Sequence, residues 1–276
     1  MTDAWVQVNV ALTRPDGDPR PSARTLFDRL AAVVAERRDH GDLDLFFFQR
    51  KAPDVRLRFH GSAVETTVLT PVGALLDSLA GVDAGAVASW YPSVYEPEMR
   101  KYGGPGATAA FHHHYDTDTS VWLALQALAR HDTIGPFVPN AASVMTVMAN
   151  DLFLRVLNDR DEVWDTWANL ADIALPPAPQ LDLALDIGDG TFDSLVDVAV
   201  PPVAALLASY REAHVQLATS LQAELEAGRL NAGLRAILPF VVQADFQRWG
   251  LDGTVQGTIA STMMAAWDPR QDLRGV

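Results

Sequence analysis

The chain has 276 residues, 49% of them hydrophobic and 20% charged, with a net charge of −14 and no cysteine. This is ordinary globular composition, long enough for one large core or two smaller ones. The acidic balance argues against general nucleic-acid binding, and the missing cysteines exclude disulfides, thiolate nucleophiles and Cys-ligated zinc or iron–sulfur centres. No apolar run approaches the length of a bilayer span. The segment Met1-Thr-Asp-Ala-Trp5 has no basic region followed by an apolar one, so neither membrane nor export is implied and a cytoplasmic location is expected.

The charge is uneven. Residues 1–110 carry 12 Lys and Arg against 14 Asp and Glu, while residues 111–276 carry 9 against 21. A basic site therefore belongs in the first part. Lys51 and Lys101 are the only lysines; the remaining cations are arginines, whose forked guanidinium suits carboxylates and peptide carbonyls. GC-rich codon usage alone also accounts for the arginine excess.

In chain order, Trp5–Leu12 alternates and predicts a first strand. Residues 14–21 are rich in Pro, Asp and Gly and predict a loop, with Ser22 as the cap of a helix that carries Leu26, Leu30, Val33 and Val34 and ends near His40-Gly41. Leu43–Gln49 predicts a buried strand. Pro53-Asp54 turns the chain, and Val55–Phe59 returns as its antiparallel neighbour. Alternation puts Arg56 and Arg58 on one face of that strand and Val55, Leu57 and Phe59 on the other. Two like charges there require an anionic or solvated surface opposite. They read either as the wet face of a sheet or as a cationic floor for a carboxylate or carbonyl.

Residues 63–79 predict a helix kinked or split by Pro71, and residues 86–95 a strand. The stretch Tyr95-Glu-Pro-Glu-Met-Arg-Lys-Tyr-Gly-Gly104 then gathers two carboxylates, two cations and two phenols before a glycine pair. Gly103-Gly104 permits positive φ and close backbone approach. Glu96, Glu98, Arg100, Lys101 and Tyr102 thus sit on a strand-to-helix connection, where functional residues concentrate. A polar turn is the plain alternative.

A helical pattern follows over 107–129, starting as late as Asp116 on one reading. It contains His112, His113 and His114. Helix neighbours point about 100° apart, so the three cannot face one ion, and no metal-ligand spacing accompanies them. No metal site is expected; His112 and His114 are candidate acids or bases at a pocket edge. Residues 139–157 and 161–173 predict apolar helices, with Asp159 at a helix start. Residues 175–180 predict a proline-rich linker and residues 181–200 an irregular acidic insertion. Residues 201–228, with Glu212, Glu224 and Glu226 on a solvated face, predict a long helix. Residues 232–250, with Gln243, Asp245, Gln247 and Arg248, predict another, and residues 254–267 a last one. Strands alternate with helices before residue 110 and nearly everything after it is helical. The fold class is therefore α+β, an antiparallel or mixed sheet with flanking helices followed by a mainly helical part.

The order of Trp5, Val55-Arg-Leu-Arg-Phe59, Tyr95–Gly104, Tyr115-Asp-Thr-Asp-Thr119 and Gln243-Ala-Asp-Phe-Gln-Arg248 resembles the thiopeptide-type bacteriocin biosynthesis domain. That domain is similar to the C-terminal glutamate-elimination domain of lantibiotic dehydratases. The resemblance spans nearly the whole chain, implying one domain over residues 1–276. The Tyr-x-x-Glu-x-x-x-Tyr-Gly-Gly block with the preceding Arg-Leu-Arg strand is its most specific part.

In relatives that eliminate glutamate, cations and a histidine flank the leaving group. The cationic pair matches Arg56 and Arg58. Lys101 stands where the family has Arg, and Gln243 where the family has a late-helix His; His112 stands where an acidic residue is frequent. Loss of these parts together resembles the stand-alone pyridine synthases of thiopeptide pathways. The resemblance then implies a cofactor-independent formal [4+2] aza-cycloaddition on a modified precursor peptide that carries its leader. Tyr102, Gln243, His112, His114 and Glu98 would be catalytic, and Arg56, Arg58, Lys101 and Arg248 would bind substrate. The expected partners are that peptide, other pathway enzymes and a second copy in a homodimer. Three alternatives remain: a glutamate eliminase that forms dehydroalanine, a non-catalytic leader-peptide-binding partner, and an unrelated α+β domain.

Overall fold

The computed structural model describes residues 4–81, 85–130, 141–177 and 191–270. The chain divides into two compact units. Unit 1 comprises residues 1–97 and 122–127, and unit 2 comprises residues 98–121 and 128–276.

Unit 1 is built on a four-stranded antiparallel sheet of order β2-β3-β1-β4. Its strands are β1 (Ala4–Leu12), β2 (Leu45–Lys51), β3 (Asp54–Gly61) and β4 (Val87–Ser93). The period-2 pattern separates two faces. Val6, Val8, Val10, Phe46, Phe48, Leu57 and Phe59 form the apolar face and are buried. Against it lie α1 (Arg20–Asp39) and α3 (Leu69–Leu79). The Phe27 ring of α1 sits 4.3 Å from that of Phe48, and Trp90 Nε1 donates to Asp77 of α3 at 2.8 Å.

The first helix starts at Arg20, two residues before the expected cap. Pro21 occupies its first turn, where a missing N–H costs nothing. Ser22 is buried and shares a 2.7 Å hydrogen bond with Thr13. The break expected at Pro71 falls earlier, between α2 (Val64–Thr67) and α3. Pro71 is the third residue of α3, again within a first turn where its lack of N–H is tolerated.

Unit 2 holds α4 (Pro105–Arg130, through Val121), α5 (Ala141–Val156), α6 (Arg160–Ile173), α7 (Thr191–Val198), α8 (Pro201–Glu226), α9 (Leu234–Arg248) and α10 (Gly253–Trp267). Pro105 at the first position fixes the start of α4 earlier than periodicity alone suggests. Asp159 caps α6, accepting from Glu162 N at 2.9 Å, while Glu162 accepts from Asn158 N at 2.9 Å. Such reciprocal caps satisfy amides that a helix leaves open at its start. Residues 191–198 of the acidic segment are helical, not irregular. Phe192 lies buried with Arg211 of α8 stacked over its ring at 3.8 Å. Residues 181–190 of that segment and residues 178–180 of the proline-rich linker lie outside the described residues. Among the described residues, no helix is long and apolar enough to cross a membrane.

Candidate functional site

The second face of the sheet in unit 1 carries Gln7, Asn9, Phe47, Gln49, Arg56 and Arg58, as the pairing of Arg58 with Gln7 and Phe47 and of Arg56 with Asn9 and Gln49 requires. Apart from Arg56 these side chains are buried. Arg58 Nε donates to Gln7 Oε1 at 3.0 Å, and Gln7 Nε2 donates to Asn9 Oδ1 at 3.0 Å. The Arg58 guanidinium lies 4.3 Å over the Tyr95 ring and 5.3 Å from that of Phe47. Amide oxygen and aromatic faces thus hold this cation. Arg56 turns away and donates Nε to Ala52 O at 2.9 Å. Alternation placed both arginines on one face, and their different partners send them apart.

The Tyr95–Gly104 stretch is where the chain passes from unit 1 to unit 2. Glu98 O accepts from Lys101 N at 2.9 Å and Tyr102 N at 3.2 Å, and Gly104 N donates to Met99 O at 2.8 Å, forming a tight turn. The Glu98 carboxylate is half exposed and lies 3.7 Å from Lys101 Nζ. Lys101 Nζ also sits 4.7 Å over the Phe240 ring of α9. Gly103 and Gly104 have φ of 85° and 120°. A Cβ on Gly103 would come within 2.5 Å of Ile237 Cδ1. Gly103→Ala is expected to destabilise the protein by about 1–2 kcal/mol through the left-handed backbone, read as a lower urea midpoint; an unchanged midpoint would show that this turn does not need glycine.

Tyr102 is 5% exposed, and its ring packs 5.5 Å from Phe111 and 6.2 Å from Tyr115. It opens a buried polar chain across α4 and α9. Arg248 lies 4.1 Å over the Tyr115 ring. Its Nε donates to Asp118 Oδ2, and its Nη2 donates to Asp245 Oδ1. Asp118 Oδ1 also accepts from Tyr210 OH and Trp249 Nε1, each at 2.8 Å. Asp245 Oδ2 lies 2.9 Å from His114 Nε2. Arg248, Asp118 and Asp245 side chains are 0%, 0% and 4% exposed. Burial opposes the charge on Arg248, but Asp118 and Asp245 more than offset this and raise its pKa. Burial raises the pKa of both tyrosines, Tyr115 and Tyr210, well above the usual phenol value, so both stay neutral, and Tyr210 donates to Asp118.

A second buried pair lies beside the first. His214 Nδ1 of α8 is 2.8 Å from Asp151 Oδ2 of α5, and Arg155 Nε donates to the same oxygen at 2.7 Å. The His114 and His214 rings are 5.6 Å apart. Burial lowers the His214 pKa to about 4 despite the carboxylate. Burial also works against charge on Asp151, but hydrogen bonds from His214 and Arg155 outweigh it and lower its pKa.

The structure therefore joins Tyr102, His114 and Arg248 in one network within unit 2. Arg248 has no surface left to offer a peptide. His112 is buried on α4, 7% exposed, while His113 between it and His114 faces solvent. Gln243 is half-buried and donates to Ile173 O at the end of α6 at 3.3 Å, satisfying a carbonyl the helix leaves open. Asp118, Asp151, Tyr210, His214 and Trp249 did not emerge from the sequence as site residues. The readable signal was an acid within an apolar helix, because Asp is almost never fully buried without a partner.

The family model described as lantibiotic biosynthesis dehydratase C-term matches residues 5–253. Among solved structures, the tRNA-dependent lantibiotic dehydratase MibB from Microbispora sp. 107891 is similar in fold, with a TM-score of 0.69, 17% identity and coverage of 98% of this chain and 28% of MibB. The chain thus spans little more than a quarter of that protein. TsrL is similar in fold over 98% of this chain and 96% of its own, with a TM-score of 0.57 and 15% identity. No curated protein matches the sequence. With its family model matched over nearly its whole length, the chain belongs to the lantibiotic biosynthesis dehydratase C-terminal family.

Proposed function

We propose that this chain is a biosynthetic enzyme acting on a ribosomally made peptide, and that its reaction is the formal [4+2] aza-cycloaddition of a thiopeptide pyridine synthase. One feature carries the choice of reaction. By the resemblance, Gln243 stands where glutamate-eliminating relatives carry a histidine, and its amide donates to Ile173 O. An amide neither gains nor loses a proton near neutral pH. It can hold and orient a polar atom, which cycloaddition needs more than a mobile base.

In this reading one dehydroalanine amide becomes an iminol, its oxygen gaining the proton its nitrogen gives up. The resulting azadiene adds to the second dehydroalanine, forming two bonds and closing the ring. Loss of water and then of the leader as a carboxamide aromatises the ring to pyridine. Arg56 and Arg58 of unit 1 and Lys101 of unit 2 would hold leader or peptide carbonyls. Tyr102, Glu98, His112 and His114 would supply the donor and acceptor for the departing groups. Arg248 acts in this reading through the frame that holds Tyr115. Folding the peptide so that its two alkenes meet accounts for much of the rate.

Glutamate elimination is the second reading, favoured by the His114–Asp245 pair, which supplies an oriented imidazole. The test is incubation with a leader-bearing peptide that contains two dehydroalanines, followed by mass spectrometry. Loss of water and leader is expected. Loss of glutamate from a glutamylated peptide instead would establish the eliminase, and binding with no mass change would establish a non-catalytic partner. Gln243→Ala is expected to lower turnover by about tenfold or more while peptide affinity stays within about threefold. Equal loss in both would remove Gln243 from the reaction.

A further inference from the structure

The second face of the unit 1 sheet carries a hydrogen-bond relay whose direction is fixed from one end. Arg58 Nε donates to Gln7 Oε1, and Gln7 Nε2 donates to Asn9 Oδ1. A guanidinium has only N–H groups to offer, so the Gln7 atom facing it must be the carbonyl oxygen. That turns the Gln7 NH2 group toward Asn9, and the Asn9 atom facing it must in turn be oxygen. The Asn9 NH2 group is therefore the end of the relay. Each bond in such a chain polarises the next, so the last N–H groups donate more strongly than those of an isolated amide.

Asn9 is 5% exposed. Among the described residues its side chain makes no hydrogen bond besides the one from Gln7. Its Nδ2 is not one of the polar atoms sealed from water without a partner, so it keeps some solvent contact. Two unspent N–H donors thus sit on a nearly buried amide that a ligand atom can still reach. Asn9 neighbours Arg56 on β3 and Tyr91 on β4, and Tyr91 is exposed, so the row opens to solvent at the β4 edge. Both arginines of the face are engaged, Arg58 by Gln7 and the Tyr95 ring and Arg56 by Ala52 O. A carboxylate set against Asn9 would lose its water without gaining a cation of its own, a cost that a neutral oxygen acceptor does not carry. Gln49 stands across Arg56 in the same row. No relay reaches its amide, so either end of it can face a ligand.

We propose that Asn9 binds substrate, its NH2 group holding an amide carbonyl oxygen of the peptide, and that Gln7 and Arg58 are positioning residues that fix which end of the Asn9 amide is presented. This deepens the proposed function and rests on its reading that the peptide lies against this face. At this oxygen Arg58 acts through Gln7. Reversing the relay would present the Asn9 oxygen, which repels a carbonyl, so one side chain is a binding group in one sense and an obstacle in the other.

The full chain, labelled with ¹⁵N in its asparagines, is titrated near neutral pH with N-acetyl-dehydroalanine methylamide, and separately with sodium acetate at equal ionic strength as the charged acceptor. The Asn9 NH2 signals are identified by their loss in Asn9→Asp. The expected result is a saturable shift of those signals with the amide, and binding at least about threefold weaker with acetate. Gln7→Glu keeps an acceptor for Arg58 but has no hydrogen to give Asn9. The Asn9 NH2 group then turns to the new carboxylate, and the amide should bind at least about tenfold more weakly. Gln7→Met, which removes the relay without imposing the opposite sense, serves if that variant does not fold, with a loss of about threefold or more. No saturable shift at Asn9, acetate bound as tightly as the amide, or undiminished binding by a folded Gln7 variant would each overturn the assignment. A mass change of the peptide tests the reaction, and the Asn9 signal tests only this contact, so either can fail without the other.

Discussion

Arg248→Ala is expected to lower the unfolding free energy by about 3–5 kcal/mol, because removing one partner of a buried ion pair leaves the other charge uncompensated. Here it would leave two. Asp118 and Asp245 both bind the guanidinium, and neither is more than 4% exposed. Without it two carboxylates repel each other in a site that water does not reach, while Tyr210 and Trp249 still direct donors at Asp118. Arg248→Lys keeps the charge but loses the planar fork that serves two acids at once, so it is expected to recover about half of the loss. Urea unfolding followed by circular dichroism measures both variants. A change below about 1 kcal/mol for Arg248→Ala, with an unchanged urea dependence, would mean that the network does not hold α4 to α9.

Stability is expected to fall by about 3 kcal/mol between pH 6.5 and pH 4 through His214. Its folded pKa of about 4 lies below the ordinary histidine value of 6.5. As pH falls, the unfolded chain therefore takes up its proton first. The stabilisation is complete above about pH 6.5 and is lost on the way down to about pH 4, at about 1.4 kcal/mol for each unit of difference. Asp151, lowered in the folded state, adds a loss of the same sign only as pH falls below the ordinary aspartate value of 3.8. The geometry agrees with a neutral imidazole. The Tyr210 ring packs 4.9 Å from it and His114 5.6 Å away. Arg155 and Arg211 draw on the same Asp151 carboxylate, Arg211 Nε lying 3.8 Å from it, which weakens its hold on an imidazolium. His214→Gln keeps a donor for Asp151 but cannot titrate. It is expected to flatten the dependence of unfolding free energy on pH in this range, and an unaltered slope in that variant would assign the acid sensitivity elsewhere.

The Gly103-Gly104 pair shows what was legible at short range. Its sequence asked for positive φ, and both residues have it. The strand from Val55 to Phe59 likewise assigned its arginines to one face, and the sheet register places them there. The cap assigned to Ser22 failed because Pro21 sets the first turn of α1, leaving Ser22 to bond Thr13 instead. Arg248 is expected from the resemblance to bind substrate, while its burial depends on Asp118, 130 positions earlier in the chain. No local pattern reports a partner at that distance.

The sequence by itself determined the four strands, the helices other than α7, the α+β class and the turn before α4, because a residue's conformational preferences and the 2.0 and 3.6 repeats act over a few neighbours. Only the tertiary structure decided which polar residues are spent on one another. The crossing of α4 with α9 and of α5 with α8 turns isolated acids into partners for Arg248, His114 and His214. The cost of burying those charges is met only when all the helices are in place.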